Sequence, residues 1–352
     1  MSQEKPKKVL PFKIGADPEF NIMSQSKKIH AHDLMKELFK ECKKGDNGKI
    51  IKKDGKKIGD LGWDGCDRTA EIRPNPSNSP AELTEYIGRI ISHLAKKVPI
   101  LSFSTISNNA GPIGGHIHFD LIAPSKENLD KLHHYMTSFF LPLMMGESPV
   151  NIKIRNKSNY GLIHDSRTNG HGNGTWEFRV PTAEWLTTPK ICNATLAYLS
   201  VVYHEINKRF DDKKFDKKLT KLIYKTNPQG EALKTLILSN SNFILDILVK
   251  SIKKEIREFE LYEQYKDEIE YILNYKKVAE DKKKVNWDIV EGWEMVKTKI
   301  PTKRDVNSTK KINENIKKKG VGGLLDLVNI QFNSDRNVEP QARKAQEAIM
   351  AL

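Results

Sequence analysis

The sequence predicts an α+β fold with a mostly antiparallel or mixed sheet, on three observations. Short β-branched runs set between glycines and turn residues fill the chain from Phe12 to about Pro181. Helical periodicity appears between them, without the strict strand–helix alternation of a doubly wound sheet. After Asp211 the glycines thin out and long Lys/Glu/Leu/Ile segments take over, which reads as helix. The chain has 352 residues, 38% hydrophobic and 30% charged, enough for one large domain or two ordinary ones. Composition divides it into a tail over 1–11, a mixed domain over 12–204 and a Lys-rich, mainly helical region over 205–352.

Taken in order, KIGADPEFNIM reads as the first strand and RTAEIRP as the second. SPAELTEYIGRIISHLAKKV follows as a helix. Ser79 is its N-cap candidate and Pro80 sits just inside, while Leu83, Ile87, Ile90, Ile91 and Leu94 recur at helical spacing. ILSFSTIS and GGHIHFDLI are two further strands. Segments 125–145 and 187–209 are helical, the first as a crossover back to the sheet. Helices are also expected over 230–254 and 256–283. DKKKVNWDIVEGW and then PTKRDVNSTKKINENIKKKGVGG read as a polar connection before a short C-terminal segment.

Composition narrows the function. No apolar run approaches the roughly 18–20 residues of a membrane span, and MSQEKPKKVLPFKIG lacks the apolar stretch of a secretory leader. Cys42, Cys66 and Cys192 are odd in number and show no metal-binding spacing, against both a disulfide framework and a structural zinc site. A reducing cytoplasm fits. The net charge of +14 raises the question of a polyanionic partner. Residues 1–204 hold 28 basic and 21 acidic side chains and residues 205–352 hold 31 and 24, so each part carries +7 and neither is a dedicated basic arm. A nucleic-acid partner is the less favoured reading, and a solvated basic surface the simpler one.

The most informative feature is a set of polar pairs at i,i+2, because residues two apart on a strand face the same way and can converge on one ligand. Asp17 and Glu19 form the first, in GADPEF, with Pro18 between them removing a ladder donor. His116 and His118 form the second, in GGHIHFD, with Ile117 and Phe119 turned to the core. Glu177 and Arg179 form the third, in GTWEFRVP, and Glu71 and Arg73 repeat the pattern in TAEIRP. Each alone reads equally well as surface alternation, a packed pair or a simple ion pair. Four strands with this spacing favour one shared site, in which acids and histidines hold divalent cations and arginines clamp phosphate.

In this order, the motifs resemble those of glutamine-synthetase-like carboxylate–amine ligases, most closely the phage-type amidoligases called COOH.NH2 ligase type 2, over roughly residues 12–185. GADPEF is similar to the family's opening acidic strand, DGCDRTAEIRP to its second and GGHIHF to its histidine strand. The stretch from Tyr160-Gly161 through Arg167 to WEFRVP is similar to its final Arg and Glu-x-Arg motif. The resemblance implies a glutamine-synthetase-like domain with a curved sheet flanked by helices. It also implies an ATP-dependent enzyme that activates a carboxylate as an acyl phosphate for attack by an amine. Asp17, Glu19, Glu71, His116 and Glu177 would hold Mg2+, or Mn2+ in its place, with Asp64 or Asp67 as a further acid. His118 would contact ATP, and Arg167 and Arg179 would neutralise the transferring phosphate. Asp64 and Arg73 would lie on the substrate side. The first acid is Asp where glutamine synthetases have Glu, and EIRP stands where many relatives carry EFN.

The carboxylate, a small molecule or a peptide, and its amine partner are not identified by the sequence, nor is the oligomeric state. If phage-encoded, such a protein would work in the cytoplasm of its bacterial host. Residues 205–352 are expected to supply or cover the acceptor side. Two other readings compete. One is a metal-dependent hydrolase built on His116 and His118, disfavoured by the lack of HExxH and the wealth of acids. The other is a non-catalytic basic protein associated with nucleic acid or virions.

Overall fold

A computed structural model describes residues 8–24, 27–39, 48–64, 68–98, 101–107, 112–120, 126–158, 160, 166–168, 174–217, 242–285 and 289. Within them the chain builds two antiparallel sheets that meet at Asp17-Pro18. The stretch expected as one strand is two: β1 (Ile14–Ala16) in one sheet and β2 (Glu19–Ser24) in the other. Proline explains the break. It has no N–H to donate, yet the Pro18 carbonyl still accepts from Ile72 N at 3.2 Å. The flanking amides are bonded across the junction, Asp17 N to His116 O at 3.3 Å and Glu19 N to Gly114 O at 2.9 Å.

The larger sheet contains β3 (Lys27–Ile29), β2, β6 (Ala70–Pro74), β5 (Lys56–Trp63) and β4 (Gly48–Lys53) in that order, and β7 (Ser102–Ser104) pairs with β2. The β4–β5 hairpin turns at Asp54-Gly55, both at positive φ (49° and 77°), a conformation that suits the right-handed twist of the flanking strands. The smaller sheet runs β1, β8 (Ile117–Asp120), β10 (Thr175–Phe178), β9 (Ser166–Thr168). Alternation divides its faces. Ile117, Phe119, Trp176 and Phe178 are fully buried in the core, where Phe119 stacks on Tyr203 at 4.5 Å between centroids. The polar partners His116, His118, Glu177 and Arg179 are thereby left on the opposite side.

Helices cover the apolar side. α2 (Pro80–Lys97) begins as expected: the Ser79 side chain accepts from Glu82 N, Pro80 fills the first turn, and Leu83, Ile87, Ile90, Ile91 and Leu94 are all buried. α1 (Ala31–Leu38) lies against β5. α3 (Lys126–Met145) and α4 (Pro149–Ser158) link β8 to β9. α5 (Pro189–Lys208) is buried on nearly every face, because α2 and α3 pack on it together with the later helix α7 (Lys266–Ile272). α5 runs past residue 204, where the composition changes, and α6 (Asn242–Ile256) packs on α3, so the hydrophobic core continues into the later chain.

Expectations for that later part need correction. The single helix expected over 256–283 is a short 3-10 turn (Glu263–Tyr265), then α7, then α8 (Tyr275–Lys284). The polar connection expected to begin at Asp281 does not, since α8 runs through it. Ile289 is buried with its N–H bonded to Phe103 O at 2.7 Å. The remainder of that connection, and residues 230–241 of the preceding helix, lie outside the described residues. No helix among the described residues is long and apolar enough to cross a membrane.

Candidate active site

Three features of the backbone bring the polar pairs together. The sheet junction sets Asp17 and Glu19 on either side of Pro18. Antiparallel register puts Glu177 directly opposite His118, which in turn faces Gly15 on β1. Two glycines let the chain turn in before β8. The Gly115 amide donates to Pro181 O at 2.9 Å and its carbonyl accepts from Trp185 Nε1 at 3.0 Å. A Cβ on Gly115 would sit 2.3 Å from Thr182 O, so only glycine fits there.

One oxygen of Asp17 is the hub. Asp17 Oδ1 lies 3.1 Å from His118 Nε2 and 3.3 Å from His116 Nδ1, and that same Nδ1 lies 3.3 Å from Glu177 Oε1. Arg179 Nη1 donates to Glu177 Oε1 at 2.9 Å. Asp17, His118 and Glu177 each offer a ligand atom within 4.8 Å of the others, a spacing that suits a shared cation.

A second acidic group adjoins the first. Glu19 and Glu71 are directly opposed on β2 and β6, an arrangement of like charges that costs energy without a counter-ion. Glu71 accepts from Arg73 Nε at 2.8 Å, and Arg73 Nη2 also donates to Trp63 O at 3.0 Å. Burial, reinforced by the charge of Asp64, pushes the Glu19 carboxyl up to about 7. Burial likewise raises Glu71, partly offset by Arg73. Burial would lower the His116 imidazole. The hydrogen bond and charge of Asp17, with Glu19 and Glu177, outweigh it and hold the imidazole above its ordinary value. Acids pushed toward neutrality by burial, and further by one another, are the donor set that a hard divalent cation relieves.

Asp64 is therefore close enough to act electrostatically on Glu19 and Glu71. Arg167 stands opposite Glu177 on β9, but its side chain lies outside the described residues, as does Asp67. Cys192 is buried against Thr84, away from this cluster, and Cys42 and Cys66 lie outside the described residues.

Residue-type spacing gave no sign of two further participants. Tyr160, on a loop without periodicity, bonds through its hydroxyl to Glu19 Oε1 (3.2 Å) and His116 Nε2 (2.9 Å), and the Arg179 guanidinium lies 5.2 Å over its ring. The Gly114 amide donates to Glu19 Oε2 at 3.1 Å.

The fold has a counterpart among known structures. The crystal structure of the complex between the prokaryotic ubiquitin-like protein Pup and its ligase PafA is similar, with a TM-score of 0.51 at 11% identity, covering 98% of this chain and 79% of that one. At that identity the likeness establishes a shared fold, the mixed α+β architecture expected from the glutamine-synthetase-like motifs. No curated protein matches the sequence. Residues 14–295, most of the chain and every one of the clustered residues, match the family described as phage phiEco32-like COOH.NH2 ligase type 2. The chain belongs to this family of carboxylate–amine ligases.

Proposed function

We propose that the protein joins a carboxylate to an amine at the expense of ATP, through an acyl phosphate, releasing ADP and phosphate. The observation that carries this reading is the convergence of Asp17, His116, His118, Glu177 and Arg179 within hydrogen-bond reach, beside the crowded acids Glu19 and Glu71. Asp17, Glu19, Glu71, His116 and Glu177 would hold Mg2+ or Mn2+, and their acidic, oxygen-rich donor set fits such ions. A divalent cation bound there spreads the charge of nucleotide phosphates.

The chain's own residues supply the rest. His118 would orient the nucleotide. Arg179, already buried against Glu177, presents a planar fork of donors to a phosphoryl group, and Arg167 on the neighbouring strand would add a second cation. Asp64 and Arg73, beside these acids, would meet the carboxylate and amine. A carboxylate has a poor leaving group, so phosphorylation precedes amine attack, and water must be kept from the activated acyl group. We assign α8 and its neighbours in the later region to closing the acceptor side. This is supported by Lys282 on α8, which pairs with Glu184 just beyond β10 at 3.2 Å. The site would serve a small-molecule or peptide carboxylate.

The test is an ADP-release assay with Mg-ATP against mixtures of carboxylates and amines, with the product identified by mass spectrometry. Release that requires both partners and yields an amide is expected. ADP release indifferent to both, or none with any pair, would contradict the reading.

A further inference from the structure

The His116 ring is held at both nitrogens, and the two sides differ in kind. Nδ1 faces carboxylate oxygens, Asp17 Oδ1 and Glu177 Oε1, each at 3.3 Å. Nε2 faces a phenol, Tyr160 Oη, at 2.9 Å. A phenol has one proton to give. Glu19 Oε1 lies 3.2 Å away; with Glu19 ionised, as it is when the acids hold a cation, it can only accept, so the Tyr160 proton goes to Glu19 and the phenol oxygen is left to accept from Nε2–H. With its proton on Nε2, and a cation in place of the Nδ1 proton that otherwise bonds Asp17, His116 would direct its Nδ1 lone pair between Asp17 and Glu177.

The backbone is shaped around this contact. A Cβ at Gly114 would come 2.8 Å from Tyr160 Oη and 2.5 Å from His116 Nε2, so any other residue would push the two rings aside. The Arg179 guanidinium, 5.2 Å over the face of the Tyr160 ring, adds a second contact to the phenol.

We infer that Tyr160 is a positioning residue for the cation site: its hydroxyl fixes His116 with the proton on Nε2 and ties it to Glu19, so that Nδ1 is the ligating nitrogen. This rests on the cation reading of the cluster proposed above. Ligating histidines ordinarily have their second nitrogen held by a carboxylate, a carbonyl or water, and loss of such a partner weakens metal affinity about 10- to 100-fold. Here the partner is a phenol that also bonds a second acid of the same cluster.

The experiment measures Mn2+ affinity of the full-length protein by electron paramagnetic resonance, without nucleotide or turnover. Tyr160→Phe, which keeps the ring under Arg179 and removes only the hydroxyl, should bind Mn2+ about 10- to 100-fold more weakly. Tyr203→Phe removes another buried hydroxyl, the one bonded to the Asp120 carbonyl, and should leave the affinity unchanged. In the Mg2+-loaded wild type, 15N NMR should find the His116 proton on Nε2. An unchanged affinity in Tyr160→Phe, or a proton on Nδ1, would overturn the inference while leaving the cation reading intact. A wild-type protein that binds no Mn2+ at all would overturn the cation reading and this inference with it.

Discussion

Glu19 carries the sharpest consequence of crowding at a single residue. Its carboxyl is 6% exposed and raised from an ordinary 4.5 to about 7, first by burial and then by Asp64. Between those values the folded chain holds a proton that the unfolded chain has released, so stability falls as pH rises through this window. The cost is absent below about pH 4.5 and fully present above about 7, and amounts to about 3 kcal/mol at 1.36 kcal/mol per unit. Urea denaturation of the cation-free protein at pH 5 and pH 8 should show the wild type losing about 2.5 kcal/mol more stability than Glu19→Gln, since part of the cost is already present at pH 5. Parallel losses would remove the crowded carboxyl from the account. What made these residues legible was their period: i,i+2 spacing flagged Asp17, Glu19, His116, His118, Glu177 and Arg179 before any coordinates. Tyr160 was not legible as a site residue by this route, because a loop residue reaches a site through tertiary closure and leaves no repeat in the sequence. The order of motifs pointed to its neighbourhood without giving it a role.

Elements were legible where local chemistry alone decides them. α2 has its cap, its proline and an apolar stripe, and forms as those dictate. The first strand was misread as continuous, although Pro18 carried the signal that it ends there. The β4–β5 hairpin was missed despite the Asp-Gly turn that specifies it. Less visible was the wiring of α8 to the site. The Lys282 ammonium, buried at the end of a Lys-rich helix, reaches Glu184 Oε2 at 3.2 Å, while Glu184 Oε1 accepts from Ser148 N and Asn151 Nδ2, both at 2.7 Å. Next in sequence, Trp185 bonds to the Gly115 carbonyl, one residue before His116. In the sequence, Lys282 is one lysine among many; only packing distinguishes it. Lys282→Met fills the space but leaves the Glu184 carboxylate buried without its cation, and the folded state should lose about 3–5 kcal/mol. Chemical denaturation gives the value, and a loss under about 1 kcal/mol would mean that the pair contributes little.

At the scale of the molecule, the two sheets and the helices behind them exist to hold one junction. Apolar residues of the smaller sheet point to α3 and α5, which leaves its polar alternates beside the acids of the larger sheet. The fold class followed from composition and pattern. The meeting of β1 and β2 in different sheets did not, because nothing local to GADPEF says which strands its two halves will pair with. As proposed above, this junction would transfer phosphate to a carboxylate before an amine displaces it. Take the carboxylate and amine found by the ADP-release screen, enrich the carboxylate oxygens in 18O, and analyse the released phosphate by 31P NMR. Transfer through an acyl phosphate leaves one carboxylate oxygen on phosphorus, so phosphate carrying a single 18O is the predicted result. Phosphate free of the label, formed in step with the amide, would contradict it.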